Sequence, residues 1–445
     1  MNKTADFTQG NILSSLVRFM IPVFLAMLLQ DLYGAVDLLI VGRFATTADV
    51  SGVTTGAQIM NMIMSMAINF SMGITILLGQ QIGRGEHEKC GEVIGAGIAY
   101  FSAIGIVLSV LMLAFANHIA VIMHAPAEAF EKTVQYMRIC GAGSIVVVAF
   151  NLIGSIFRGI GDSRTPLVAV GIACVINILG DLLLVAGFGM GAGGAAIATV
   201  AAQAGSVMLS LVIISRRNLA FTIKRRDIRF HRQIIAKITG FGLPLAVQGI
   251  LVSFSFLVIL AIINNIGVVE SAGMGIANKN IAFIMLVPAS FGQAMAAFVA
   301  QNAGAGQYGR AVSALRCGIS VSLCCGVVMS VLSFAFGEKL ALLFTVDHVA
   351  AAAAHSYLKA YAIDCLLTAF LFCFIGFFNG MGITRFVMLQ GIIGAFCVRV
   401  PASFLLSRWK PVSLFKIGLA TPMSTAAQIL MCFGCMWYLY KKKAL

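Results

Sequence analysis

IFRGIGDSRTP (156–166) returns 221 residues later as FFNGMGITRFV (377–387), with Gly159 opposite Gly380 and Gly161 opposite Gly382. The same displacement relates LGQQIGRGEHEKC (78–90) to VAQNAGAGQYGRA (299–311), two Gln-x-x-Gly-x-Gly segments that close long apolar runs. With one more residue of offset, IPVFLAMLLQ (21–30) pairs with LPLAVQGILV (243–252) through Pro22 and Pro244. Three correspondences in one order describe a duplicated chain.

Each copy reads as six apolar runs long enough to cross ~30 Å of hydrocarbon as helices. The spans fall near 14–41, 53–80, 91–115, 133–156, 166–188, 192–214, 240–266, 273–302, 312–336, 353–378, 386–407 and 417–440. With 60% hydrophobic and 10% charged residues over 445 positions, the chain is an all-α polytopic membrane protein rather than a soluble domain. Six is even, so both copies start on one side of the membrane. The two bundles are expected to be related by a pseudo-twofold axis along the membrane normal. The expected division is an N-lobe over 1–214, a basic linker over 215–239 and a C-lobe over 240–445.

The formal charge of +14 is not a nucleic-acid signal, because the basic residues collect in alternate loops. The face that holds both termini carries Lys3, Arg18, Arg84, Lys89, Arg158, Arg164, eight between Arg216 and Lys237, then Arg310, Arg316, Arg385 and Lys441 to Lys443. The opposite face has only Arg43, Lys132, Lys339, Arg408, Lys410 and Lys416. The positive-inside rule then puts both termini in the cytoplasm. The eleven cysteines lie mostly within apolar runs without paired spacing, and the six histidines lie in or beside loops. That pattern argues against a disulfide framework, intramembrane haem or zinc, and membrane enzyme chemistry. The first apolar run is of full span length, so no signal peptide is expected.

Two carboxylates stand where hydrocarbon should be: Asp37 in the first span and Asp181 in the fifth. Such a group costs ~2.5 to 3.5 kcal/mol at the centre of a membrane helix, so it is retained where it faces protein or water. Asn177 lies one helical turn before Asp181, and Tyr33 one turn before Asp37, which puts each pair on one helix face. If the two helices face each other, they enclose a polar nest able to hold a proton or a desolvated cation. The alternative is that each aspartate bonds a neighbouring helix as structural glue. Carried across the duplication, Asp37 falls opposite Ile259, Asn177 opposite Val398 and Asp181 opposite Ala402, so the nest is expected in the first copy only. That asymmetry favours function over glue. Thr199 and Gln203 sit one turn apart in the sixth span, whose run GFGMGAGGAAIATVAAQAG (187–205) suits close helix approach. Thr199 can add a hydroxyl oxygen to the nest. Pro22 should bend the first helix, either as a static kink or as a mechanical element. Asp31, Asp364, Lys279 and Arg399 are further intramembrane polar groups that, with Tyr33 and Gln203, can line a cavity. Lys279 and Arg399 can snorkel or pair with carboxylates, snorkelling being favoured for Lys279.

The run from Ile21 to Arg43, the FRGIGDSRTP loop, NILGDLLLVAGFGMGAGGAAIAT (177–199) and the AQNAGAGQ segment (300–307) together resemble the multidrug and toxic compound extrusion (MATE) family, in its bacterial DinF-like branch. The resemblance covers essentially the whole chain. It implies an exporter in a bacterial inner membrane, driven by inward H+ or Na+, working by alternating access of two six-helix lobes. It also implies a cation site in the N-lobe, on Asp37, Asn177, Asp181 and Thr199, with Na+ as one candidate ion, and a bending first helix at Pro22. The branch with a C-lobe cation site has a glutamate in the seventh helix and an aspartate in the tenth. Here Asp364 matches the second, but the seventh span offers only Ser253, Ser255 and their neighbours.

The expectation is therefore a monomeric antiporter, not an enzyme, with no cofactor beyond its coupling ion. Its partners would be the bilayer and small, cationic amphipathic substrates, with no nucleic acid. A flippase or exporter of a lipid-linked saccharide or other metabolite is the alternative. That function calls for a cationic cavity, and no Arg or Lys cluster falls inside the spans.

Overall fold

The computed structural model describes residues 6–216 and 224–442. Lys3, Lys443 and residues 217–223 of the basic linker lie outside the described residues. The described chain is all helix, with no strand: α1 (Ile12–Phe44), α2 (Thr47–Gly83), α3 (His87–Ile122), α4 (Phe130–Ala142), α5 (Ser144–Gly159), α6 (Arg164–Asp181), α7 (Gly191–Arg216), α8 (Arg232–Asn264), α9 (Val268–Gly304), α10 (Tyr308–Ala341), α11 (His348–Gly380), α12 (Thr384–Ile392), α13 (Val400–Arg408), α14 (Leu414–Gly418) and α15 (Ala420–Lys441). Eleven helical stretches among the described residues are long and apolar enough to cross a membrane, and the pair 127–142 and 144–159, bent by 51°, supplies a twelfth as one broken span.

The duplicated glycines have two distinct physical roles. Gly161 and Gly382 both sit at φ +80°, just past the helix ends, as do Gly85 and Gly306 at +74° and +71°. Only glycine adopts that left-handed turn without strain. At both copies of the first turn the chain closes with the same bond: Asp162 N donates to the Phe157 carbonyl and Ile383 N to that of Phe378, each at 2.8 Å. Gly159 and Gly380 instead let helices approach, since a Cβ on Gly380 would lie 2.6 Å from Val299 Cβ.

The chain forms two compact units. Among the described residues the first comprises 21–216 and 224–246, the second 6–20 and 247–442. Helix α1 thus changes unit between Met20 and Ile21, beside Pro22, and α8 does so between Ala246 and Val247, beside Pro244. Within the first unit, α2 and the start of α8 touch backbone to backbone. A Cβ on Gly73 would lie 2.5 Å from the Ile238 carbonyl oxygen, and one on Gly242 2.2 Å from that of Phe70. Two apolar clusters fill this unit, one around Val41, Val53, Met137 and Val185, the other around Ile74, Leu78, Phe101 and Phe157. In the second unit α11 is central, packed on α9, α10, α14 and α15 around Tyr357, Tyr361 and Leu358.

Phe7 shows how the lead-in to α1 is held. Its side chain is fully buried, edge-on to Phe19 and tilted on Phe298, with ring centroids at 5.2 and 5.1 Å. Its N–H donates to Gln301 Oε1 at 3.2 Å, and its carbonyl accepts from Arg310 Nε at 2.9 Å and Asn302 Nδ2 at 3.1 Å. Arg310 Nη2 also donates to the Gln9 carbonyl at 2.7 Å. The Gln-x-x-Gly-x-Gly segment of the second copy is therefore a clamp on residues 7–9. Because hydrogen bonds from a charged donor contribute about 1.5–3 kcal/mol each way of counting, Arg310→Ala should lower stability by about 2 kcal/mol. Thermal unfolding of the purified protein in detergent measures it, and an unchanged midpoint would show that the clamp is idle.

Candidate functional site

Asp37 on α1 is 7% exposed, and Asn177 and Asp181 on α6 are fully buried. The carboxyl groups of Asp37 and Asp181 lie within hydrogen-bonding reach of one another. Asn177 Nδ2 donates to Thr199 Oγ1 on α7 at 3.4 Å. The four residues singled out from sequence are thus brought together from three helices of the first unit.

Local sequence explains the meeting of α6 and α7. Gly180 faces Ala198, where a Cβ would come within 2.9 Å of the alanine Cβ, and Gly194 packs as closely on Leu184. These small residues hold the Asn177 and Thr199 side chains in contact. Immediately after Asp181 the helix widens into a π-helical stretch, Leu182–Gly187, marked by Phe188 N donating to the Leu183 carbonyl at 2.9 Å. Such stretches are rare and often sit beside functional groups.

The chemistry of the cluster lies in its acceptors. Asp37 Oδ1, both Asp181 carboxyl oxygens and Asn177 Oδ1 are buried, and with both carboxyl groups ionised none of them has a donor; the two carboxyl groups can bond one another only by sharing a proton. Buried polar atoms in folded proteins are almost always bonded, so four such oxygens on three neighbouring residues have the chemistry to accept a proton or a cation. The donor set is oxygen only, which suits a hard cation such as Na+ as well as a proton.

Around the cluster, the Tyr33 hydroxyl is in reach of Gln203, and Tyr136 of α4 lies near enough to sense the Asp37 charge. Sequence reading missed Tyr136. The duplication carries the signal that finds it, because Tyr136 recurs 221 residues later as Tyr357. It also missed Asp49, which has a structural role: it caps α2 with Thr46, accepts from Ala192 N at 3.0 Å and pairs with Lys132 at 3.3 Å. A Cβ on Gly191 would collide with that carboxylate. Asp31 occupies an exposed position on α1, six residues from Asp37 and on another face. Pro22 lies within α1, which runs unbroken through it.

The second unit corrects one expectation. The sequence leaves the C-lobe without a polar nest, yet Asp364 on α11 and Arg399 are 2% and 6% exposed and close enough to act on each other electrostatically. Arg399 ends a second π-helical stretch, Ile393–Arg399, donates from Nη1 to Ser255 Oγ at 3.3 Å, and stands 4.4 Å over the Phe256 ring. Asp364 is in hydrogen-bonding reach of Thr425. The correspondences Ile259, Val398 and Ala402 carry no carboxylate, as read. The polar group of the second copy is built from other positions, and it includes a cation. Arg399 is buried rather than snorkelling. Lys279 is exposed, with its ammonium 6.0 Å from the Phe344 ring. Among the described residues no group of three or more His, Cys, Asp or Glu side chains is placed to hold a metal.

Comparison with known proteins agrees with the duplication. The family model described as MatE matches residues 22–183 and again 244–405. The probable multidrug resistance protein YoeA of Bacillus subtilis (strain 168) is 25% identical over 447 residues, covering 99% of this chain and 96% of the relative. The multidrug export protein MepA of Staphylococcus aureus (strain N315) is 22% identical over 393 residues, covering 87% and 86%. Among solved structures, a multidrug resistance MATE family transporter in an outward-facing conformation superposes with a TM-score of 0.92 at 20% identity, covering 100% of both chains. A MOP superfamily transporter from Pyrococcus furiosus gives 0.93 at 20% identity, covering 99% of this chain and 100% of its own. Twelve spans, a duplicated body and a family match in each half together establish that this chain belongs to the MatE family of membrane transporters.

Proposed function

We propose that this protein is a secondary active exporter of small amphipathic molecules, driven by inward movement of H+ or Na+ bound at Asp37, Asn177, Asp181 and Thr199. The observation that carries the proposal is the set of four buried, orphaned oxygens of Asp37, Asn177 and Asp181. Asn302 and Asp364 also carry a single unpaired buried acceptor each, but here four fall on three neighbouring residues, which is what a site that loads and releases a cation requires. Relatives named as multidrug exporters support the substrate class. The excess of basic residues on one face supports a placement in a bacterial cytoplasmic membrane with both termini inside.

In this reading the cation neutralises the carboxyl pair on one side of the membrane and leaves it on the other, and its occupancy biases which way the two lobes open. One charge moving down ~150 mV releases about 3.4 kcal/mol. At 1.36 kcal/mol per factor of ten, one ion per cycle sustains a substrate gradient of about a few hundredfold.

The test is efflux from proteoliposomes under imposed H+ or Na+ gradients, with a panel of cationic and neutral fluorescent compounds. Efflux should follow one of the two gradients and stop when that gradient is collapsed. Transport indifferent to both would overturn the coupling, and transport of lipid-linked sugars alone would overturn the substrate class.

A further inference from the structure

We propose that the first unit holds one anionic phospholipid, its acyl chain in an apolar groove between α3, α5 and α7 and its phosphate against the basic residues where the groove meets Arg216, Arg225 and Arg226. The proposal does not depend on the transport reading.

The groove has a volume of about 210 Å³ and is lined by Ile94, Phe101, Leu152, Ile156, Leu211 and Ile214 among other apolar side chains. The lining runs along α5 from Ile145 to Phe157, and takes in the first half of α3 and the last turns of α7, so that Ile94, Ile160 and Ile214 mark one end of it. A hydrocarbon chain matches such a lining.

At that end the wall becomes cationic. Arg216 closes α7 two residues beyond Ile214 and is exposed. A 3-10 turn, Arg225–Asp227, is seated on α3, since a Cβ on Gly95 would lie 2.3 Å from the Asp227 carbonyl oxygen. Gly95 follows groove-lining Ile94 by one residue, so the turn packs on α3 at the height where the groove begins, on an adjoining side of the helix. Its geometry is held by Lys224 N donating to Asp227 Oδ2 at 2.9 Å. Lys224, Arg225, Arg226 and Arg229 are all exposed. Beside them Ile228 and Phe230 are 46% and 65% exposed, large apolar surfaces that a loop in bulk water would not present next to four cations. Apolar side chains among exposed arginines suit an interface of acyl chain and anionic headgroup.

Native mass spectrometry of the delipidated protein tests this, with palmitoyl-oleoyl phosphatidylglycerol and the matching phosphatidylcholine added in turn, and glycerol 3-phosphate as a chainless control. The expected result is one phosphatidylglycerol retained per chain, about fivefold or more over phosphatidylcholine, the scale set by one or two arginines at a membrane surface. The control should not be retained. Arg225→Gln with Arg226→Gln should bring the two lipids to parity, and Ala149→Phe, which fills the groove, should reduce retention of both. Ser102→Phe at the groove's exposed rim serves the same purpose if the Ala149 variant does not fold. Equal retention of both lipids by the unaltered protein, an unchanged preference in the arginine variant, or binding of glycerol 3-phosphate alone would each overturn the proposal.

Discussion

Asp37→Asn should collapse ion-driven accumulation from about a few hundredfold to near unity, the full value of one coupling charge. The amide keeps the size of the side chain and supplies its own hydrogens, so it removes the need for a cation without opening a cavity. Asp181→Asn should do the same, because the two carboxyl groups share one location and either alone leaves the other with a donor. The stability readout separates function from structure. Replacing a buried group that has no donor by one that brings its own is neutral or stabilising, so both variants should unfold at or above the temperature of the unaltered protein. A glue role predicts the reverse, with lowered stability and retained efflux. Efflux from proteoliposomes and thermal unfolding, measured on the same preparations, decide between them, and full efflux in either variant would end the assignment.

What the chain reveals before any coordinates is uneven, for physical reasons. Helix count and duplication are legible because the bilayer demands long apolar runs and because tight turns demand glycine, hence Gly161 and Gly382 at φ +80°. That Asn177 and Asp181 share a face follows from helical period alone. That α1 brings Asp37 to them does not, since periodicity says nothing about which helices are neighbours; family resemblance supplied that expectation. The fourth span bends by 51° where Gly143 gives way to Val200, a packing event with no local signature. Residues 6–11 are polar apart from Phe7 and Gly10, yet Phe7 is fully buried, because the partners that hold it, Gln301, Asn302 and Arg310, lie some 300 residues away. Arg399 was legible as an intramembrane cation, but its buried setting depends on Ser255 and Phe256 from another helix.

Arg399→Met should cost the protein about 1–3 kcal/mol, because it removes the cation whose charge reaches buried Asp364 and the donor to Ser255 Oγ. Asp364→Asn strands the guanidinium in turn and should also destabilise. The double variant removes both charges and should regain most of the loss, since a buried charge pair replaced by neutral groups of similar volume is close to neutral. Thermal unfolding of the three variants gives the cycle, and additive losses in the double variant would show that the two groups do not balance each other. The outcome bears on why the first lobe is the one expected to bind the coupling ion. The second lobe's carboxylate has a cation fixed in the same chain, on a π-helical stretch that turns it inward. Among the described residues the first lobe's pair of carboxyl groups has none acting on it, which is the setting that the proposed coupling ion requires. The two copies of the duplicated fold therefore differ in electrostatics: a cation acts on the second copy's carboxylate, and among the described residues none acts on the first copy's pair.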